Sequence, residues 1–212
     1  MMEYLRQVGA VVWKDLAVEL RTRERVAAMG AFSVLVGVLF SFAIDTTVVE
    51  PQAIASGLIW MTIIFGGMLG LGRTFHLEEA DGAFEGVLLS PIPRDALFFG
   101  KVLANLVLLL VVTLLVFVVF SIFFGLQLGG HPLALGTLFS AMSARTAMGE
   151  TLLPILVFPL LIPVVIYGAT ATNSLFQGLP VSEVDGNIRM LAAFALVALA
   201  SGAWLFRYVV EE

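Results

Sequence analysis

Five stretches of this chain, residues 26–44, 53–75, 102–126, 152–171 and 188–210, are apolar over about the length of a lipid bilayer. An α-helix needs roughly 20 such residues to cross a hydrocarbon core of about 30 Å. Inside that core the backbone has no water to bond, so segments of this kind must satisfy themselves as helices. The expected fold is therefore all-α, a polytopic membrane protein with one domain over residues 1–212. Composition agrees, with 60% hydrophobic and 13% charged residues, where soluble domains carry about a quarter charged residues. The polar connections are too short to hold a soluble domain. A formal net charge of -5 says little, because the placement of charges and not their sum orients a membrane protein. With no cysteine there is neither a disulfide nor a thiolate-held metal.

A sixth apolar stretch, residues 132–142, is only 11 residues long and stands fourth in chain order. Charge decides how it is read. If it crosses and the N-terminus is cytoplasmic, then Arg6, Lys14, Arg21, Arg23, Arg25, Arg73, Arg94, Lys101, Arg145 and Arg207 all lie inside and Arg189 alone lies outside. If it does not cross, Arg145 and Arg207 move out and the bias weakens. Six spans are therefore expected. The fourth is unusually short, is continued by the polar residues after it, or lacks about ten residues near Gly136, a shortfall against the usual span.

The first 25 residues hold nine charges and no uninterrupted apolar core, so no cleavable signal is expected. At 100° per residue Leu5, Val8, Val12, Leu16 and Leu20 share one side of a helix, opposite Glu3, Gln7, Lys14 and Arg21. An interfacial amphipathic helix over residues 3–24 is predicted, with Trp13 near its border.

Between the second and third spans lies the longest polar interruption, Leu77 to Pro93. It carries Glu78, Glu79, Asp81, Gly82 and Glu85 beside Phe84, Val87 and Leu88, and then the helix-stopping Pro91 and Pro93. Phe84, Val87 and Leu88 stand at i, i+3 and i+4 and share one face of a short amphipathic helix. Such a helix presents an apolar knob ringed by acids. A solvated loop with a lipid-facing stripe has the same composition. Two spans carry marks of special packing. Gly66, Gly67 and Gly70 let helices approach closely, within the chain or across a dimer. Pro154, Pro159 and Pro163 in the fifth span remove backbone donors and favour bending, although proline is also common in static membrane helices. The third span, almost purely aliphatic and aromatic, is expected to face lipid over much of its length.

The acidic stretch with its continuation RDALFFGKVLANL, and the later AMSARTAMGETLLPILVFPLLIPVVIYGATA, resemble the CcmB family of the cytochrome c maturation system. The acidic, glycine-containing loop followed by L-L-x-x-P is shared with type-2 ABC exporters at large; the proline series after A-R-T narrows the resemblance to this family. It covers nearly the whole chain, and the short fourth span departs from it. The resemblance implies a type-2 ABC exporter-like permease with six spans, in the bacterial inner membrane, with both termini cytoplasmic. It implies a homodimer, a separate CcmA-like ATPase, and CcmC-like, CcmD-like and CcmE-like partners. The 77–93 segment would be the contact with the ATPase. Heme would be cargo of the complex, and ATP and Mg would be bound by the partner.

No catalytic residue and no metal site are expected. The one Gly-Lys pair, Gly100-Lys101, has Asp95 where a P-loop needs its first glycine. His76 and His131 stand far from each other and from any metal-ligand spacing. Histidine can ligate heme iron, but His131 before Pro132 is read more simply as an interfacial residue. No nucleic-acid partner is expected. Two rival functions remain open in the residues alone: a type-2 ABC permease for a lipid, glycan or drug, and a membrane scaffold without a transport cycle. The six-span topology makes a direct prediction. A cysteine introduced by Thr146→Cys should react with a membrane-impermeant maleimide only in inside-out vesicles, and labelling from the outer face would remove the fourth crossing.

Overall fold

The structure is a computed structural model that describes residues 2–45, 49, 51–71, 92–126 and 154–209. Among the described residues all regular structure is helical: α1 Met2–Thr22, α2 Glu24–Ala43, α3 Pro51–Leu71, α4 Arg94–Phe124, α5 Pro154–Phe176 and α6 Val181–Val209. Helices α2, α4 and α6 are each long and apolar enough to cross a membrane, and α3 and α5 hold shorter apolar runs. This is a polytopic membrane protein. The acidic stretch from Glu78 through Gly82 to Pro91, the fourth apolar segment 132–142, and both histidines lie outside the described residues.

Helix α4 is the centre of the bundle, packed against α1, α2, α3 and α6. The expectation that it faces lipid over much of its length holds for one face only, and the rest of the helix is core. A helix that is apolar all round suits a protein core as well as a bilayer, and here Leu109, Val112, Val116 and Phe120 are fully enclosed. Its lipid-facing surface is one stripe, Leu103, Val107, Val111, Leu114, Val118 and Ile122, recurring every three or four residues.

Small residues bring α2 onto α4. Gly30, Ser33 and Gly37 are buried at i, i+3 and i+7. A Cβ at Gly37 would stand 2.9 Å from Cγ1 of Val119, and one at Gly30 would stand 3.6 Å from Leu115. Ser33 turns its hydroxyl back to Met29 O at 2.7 Å, so the seam buries no unsatisfied donor there. The glycines singled out on α3 look toward the other side of α2. Gly66 lies against Phe32, Gly70 against the thioether of Met29, and Gly67 is buried.

α3 meets α5 through a fully buried hydrogen bond. Trp60 Nε1 donates to Thr172 Oγ1 at 2.9 Å, with both residues inaccessible. The indole lies flat where Gly168 has no side chain, so a Cβ there would overlap the ring. Pro154 is the first described residue of α5, while Pro159 and Pro163 lie within it. Residues 172–187, between the expected fifth and sixth spans, are mostly helical. Thr172–Phe176 complete α5, and α6 already begins at Val181, with Gln177–Pro180 the only turn between them. Gly178 ends α5 at φ 75, with Gly178 N–H bonded to Leu175 O and Leu179 N–H to Ser174 O, both at 3.1 Å. That pairing is a Schellman cap, whose left-handed residue glycine adopts without Cβ strain. Pro180 then blocks continuation.

Two expected spans also start early, at Arg94 rather than residue 102 and at Val181 rather than 188. A helix need not stop where the hydrocarbon stops, because its internal hydrogen bonds are as good in water. The α3–α5 contact gives a clear contrast. Gly168→Ala should lower stability by about 1–3 kcal/mol through overpacking of a rigid ring. Gly57→Ala, with nothing within 4 Å, should be neutral or raise stability by up to about 1 kcal/mol. Thermal unfolding of the purified protein in detergent checks both, and equal shifts would mean the indole can move aside.

Candidate functional site

The buried charges among the described residues gather in one place, where α1, α2 and the first turns of α4 meet. Four groups make the cluster neutral: Asp15 and Glu19 on α1, Arg25 on α2 and Lys101 on α4, each less than a tenth exposed. α1 turns into α2 at Arg23, which holds a left-handed conformation at φ 55 and ψ 12. For a residue with a Cβ that conformation costs about 1–2 kcal/mol, so neighbouring contacts must hold it.

Glu19 supplies them. Its Oε2 accepts Arg25 Nε at 2.7 Å and its Oε1 accepts the backbone N–H of Val26 at 3.0 Å. Val26 is the third residue of α2, so the carboxylate caps that helix in place of Arg23, whose side chain makes no cap bond. A negative group there also opposes the positive end of the helix dipole. The Arg23 N–H closes the last turn of α1 on Glu19 O at 2.7 Å. One residue therefore holds both sides of the elbow.

Arg25 reaches on to α4, placing a guanidinium nitrogen 3.4 Å from Asn105 Oδ1. One turn earlier Lys101 Nζ stands 3.9 Å from Asp15 Oδ2, and the half-exposed Lys14 stands 3.2 Å from Asp15 Oδ1. At 3.9 Å the Lys101 pair is a Coulombic contact longer than a hydrogen bond. Gly100 makes the approach possible, since a Cβ there would lie 2.6 Å from Val11 Cβ. Lys101 and Asn105, four apart, present one polar edge to α1 and the elbow.

The acidic stretch expected to meet a partner enters α4 at this point. Pro93, exposed and extended at φ -56 and ψ 138, is the residue before the helix, and its carbonyl accepts Leu97 N–H at 3.1 Å. Glu78, Glu79, Asp81, Phe84, Glu85, Val87 and Leu88 are outside the described residues. Gly66 and Gly70 pack elsewhere, against α2, Gly67 is buried on the same helix, and Pro159 and Pro163 are on α5 away from the cluster.

The cluster escaped sequence reasoning, which counted Lys14, Arg25 and Lys101 as orienting charges. Its signal was present in two places. Lys101 and Asn105 are polar at i, i+4 on the way into an apolar helix, where a cation calls for a partner. On α1 the true buried line is Val8, Val11, Asp15 and Glu19, not Leu5, Val8, Val12, Leu16 and Leu20. An apolar moment points toward lipid as readily as toward protein, and it assigned the acids Asp15 and Glu19 to neither.

No group of three or more His, Asp or Glu side chains able to hold a metal occurs among the described residues. A cavity of about 150 Å³ between α2 and α3 is lined by Phe32, Val36, Phe40, Met61 and Phe65, with Thr62 turning its hydroxyl to Leu58 O at 2.7 Å. It offers no charged group to a ligand.

A central membrane-length helix with a lateral helix ionically fixed to its end is the architecture of a polytopic membrane protein. A profile of the CcmB protein family matches residues 6–211. The chain belongs to the CcmB family. It is 31% identical over 181 residues to heme exporter protein B of Pseudomonas aeruginosa, covering 79% of this chain and 80% of that one. To heme exporter protein B of Escherichia coli K12 it is 32% identical over 205 residues, covering 85% and 89%. To that of Rhodobacter capsulatus it is 29% identical over 212 residues, covering 92% and 96%.

Removing one member of a buried pair leaves its partner's charge uncompensated, at a cost of about 3–5 kcal/mol. Arg25→Met should approach that loss, while Glu19→Leu with Arg25→Met should lose less than Arg25→Met alone. Arg189 pairs with Asp185 on the exposed start of α6, and Arg189→Met should cost about 1 kcal/mol at most. Thermal unfolding in detergent ranks the variants, and similar losses for Arg25→Met and Arg189→Met would show that the cluster is not held as described.

Proposed function

We propose that this chain is the permease subunit of an ABC-type complex acting in cytochrome c biogenesis. Its role is to convert ATP hydrolysis in a separate ATPase into heme export, or into release of a heme-loaded periplasmic chaperone. The observation that carries this is the family match over residues 6–211, with relatives named heme exporter protein B along most of their length. The chain itself binds no cofactor; ATP and Mg belong to the ATPase, and heme is cargo. It sits in the bacterial inner membrane with both termini cytoplasmic, the arrangement that puts ten of its eleven Lys and Arg inside. It works as a homodimer with a CcmA-like ATPase and with CcmC-like, CcmD-like and CcmE-like partners.

The 77–93 segment is the contact with the ATPase, with Phe84, Val87 and Leu88 seated in a cleft and the acids meeting basic groups around it. What supports the mechanical part is its place in the chain, directly ahead of α4. A displacement there is passed to a helix packed on α1, α2, α3 and α6 at once. In α5, Pro159 and Pro163 deprive the carbonyls of Ile155 and Pro159 of their helical donors, which leaves that helix points of easy bending.

Burial of one aromatic or aliphatic side chain contributes about 1.5–3 kcal/mol, whereas an exposed charge pair contributes about 0–1 kcal/mol. Phe84→Ala should therefore release the ATPase from purified membranes more than Glu79→Ala does. Equal retention of the ATPase by wild type and Phe84→Ala would refute the contact.

A further inference from the structure

The way α1 folds onto α4 changes the charge that α1 shows to its surroundings. Of its three acids and the neighbouring Glu24, Asp15 and Glu19 are turned inward against Lys101 and Arg25. Exposed along the α1 elbow are Arg6, Lys14, Arg21 and Arg23 against Glu3 and Glu24. A segment nearly balanced in sequence is thus basic on its surface.

The same packing leaves an apolar stripe uncovered. Leu5 is 62%, Trp13 72% and Leu20 70% exposed, although each is large and apolar. Arg6, Trp13 and Leu20 are spaced seven apart and follow one line along the helix, so a cation stands at the end of the stripe. Lys14 and Arg21 stand about 100° round the helix from Trp13 and Leu20, on the exposed side, with the buried line of Val8, Val11, Asp15 and Glu19 behind both.

Depth identifies what covers this surface. α4 has 31 residues and is about 46 Å long at 1.5 Å per residue, some 16 Å more than a hydrocarbon core of about 30 Å. Its apolar run begins at Val102, and α1 is fixed at Gly100 and Lys101 and, through Glu19 and Arg25, to Asn105. α1 therefore lies beside the part of α4 that emerges from the hydrocarbon, at the level of the headgroups. A helix there with a Leu and Trp stripe and flanking arginines sinks its stripe to the acyl boundary and extends its cations to the phosphates.

We infer that the outer surface of α1 is a binding surface for anionic phospholipid headgroups, with Arg6 and Arg21 as the principal cations and Trp13 as the apolar anchor. Charge selects the lipid, since a zwitterionic headgroup carries no net charge for these groups to neutralise. The inference is independent of what the protein transports.

The test uses the full-length chain in nanodiscs of mixed phosphatidylglycerol and phosphatidylcholine. Spin-labelled lipids report the association of each headgroup with the protein. The wild type should prefer phosphatidylglycerol, and each arginine removed in Arg6→Gln and Arg6→Gln/Arg21→Gln should lower that preference roughly fivefold. Arg189→Gln, on α6, should leave it unchanged. A second readout places a spin label at position 13 through Trp13→Cys, in a chain with no native cysteine. The label should be reached by oxygen dissolved in the bilayer and sit near the phosphate level. An unchanged headgroup preference in the double variant overturns the proposal. So does a label at position 13 that is shielded only when the ATPase is added, which would make this face a protein-docking surface.

Discussion

The Glu19 carboxylate, shared between a guanidinium and a helix N-terminus, is the contact on which the arrangement of the first two helices depends. Thr22 and Arg23 contain nothing that favours a sharp turn; Arg23 sits in a left-handed well that costs about 1–2 kcal/mol. What makes the turn stable is that Glu19 binds Arg25 Nε and Val26 N–H at once. Such an arrangement is worth most where water is scarce, because the alternative for each group is to be buried unsatisfied. At the membrane boundary α1 is thereby directed across α4 instead of continuing straight into α2.

From that corner the rest of the bundle follows through α4. Gly100 admits Val11, Asn105 meets Arg25, and deeper down Leu115, Val119 and Phe123 meet the small-residue seam of α2. α3 and α5 join by a different device, an indole over a glycine with its N–H satisfied by Thr172. Lipid is as apolar as leucine, so these helices associate through close backbone approach and a few buried polar bonds and not through expulsion of water. α6 is held most lightly, with Val184, Leu191 and Ala195 buried along a narrow line and Leu196, Val197 and Trp204 facing outward. Its outer face is available to lipid or to other subunits of a complex.

The proposed ATPase contact and the buried ion cluster are neighbours in the chain, joined by Ile92 and Pro93. Ile92 packs on the core while Pro93 is exposed, so the acidic stretch is anchored within two residues of its end. Helix α4 begins directly after Pro93, at Arg94. Lys101 then ties the same helix to the inner face of α1, and Asn105 ties it to Arg25 at the start of α2. Both proposed contacts would thus act on one helix.

Much of this was legible in the residues. Apolar length, which the bilayer thickness dictates, placed α2, α3 and α5 close to where they lie and excluded a soluble fold. The family was readable from an acidic loop and a proline series, because those motifs are local. The pattern could not say which apolar helix is central: α4 reads as the most lipid-like of all and is the one packed on four others, since hydropathy is the same for a neighbour made of leucine and one made of acyl chain. Nor could it pair Asp15 with Lys101, or Trp60 with Thr172. Those partners are separated by 86 and 112 positions in the numbering, and only the packed chain brings them together. The sequence by itself determined that this protein must be helical and span a membrane, through the cost of an unbonded backbone in hydrocarbon. Tertiary structure alone decided which charges are hidden and which surface α1 is left to show, because a charge's role depends on what is packed against it.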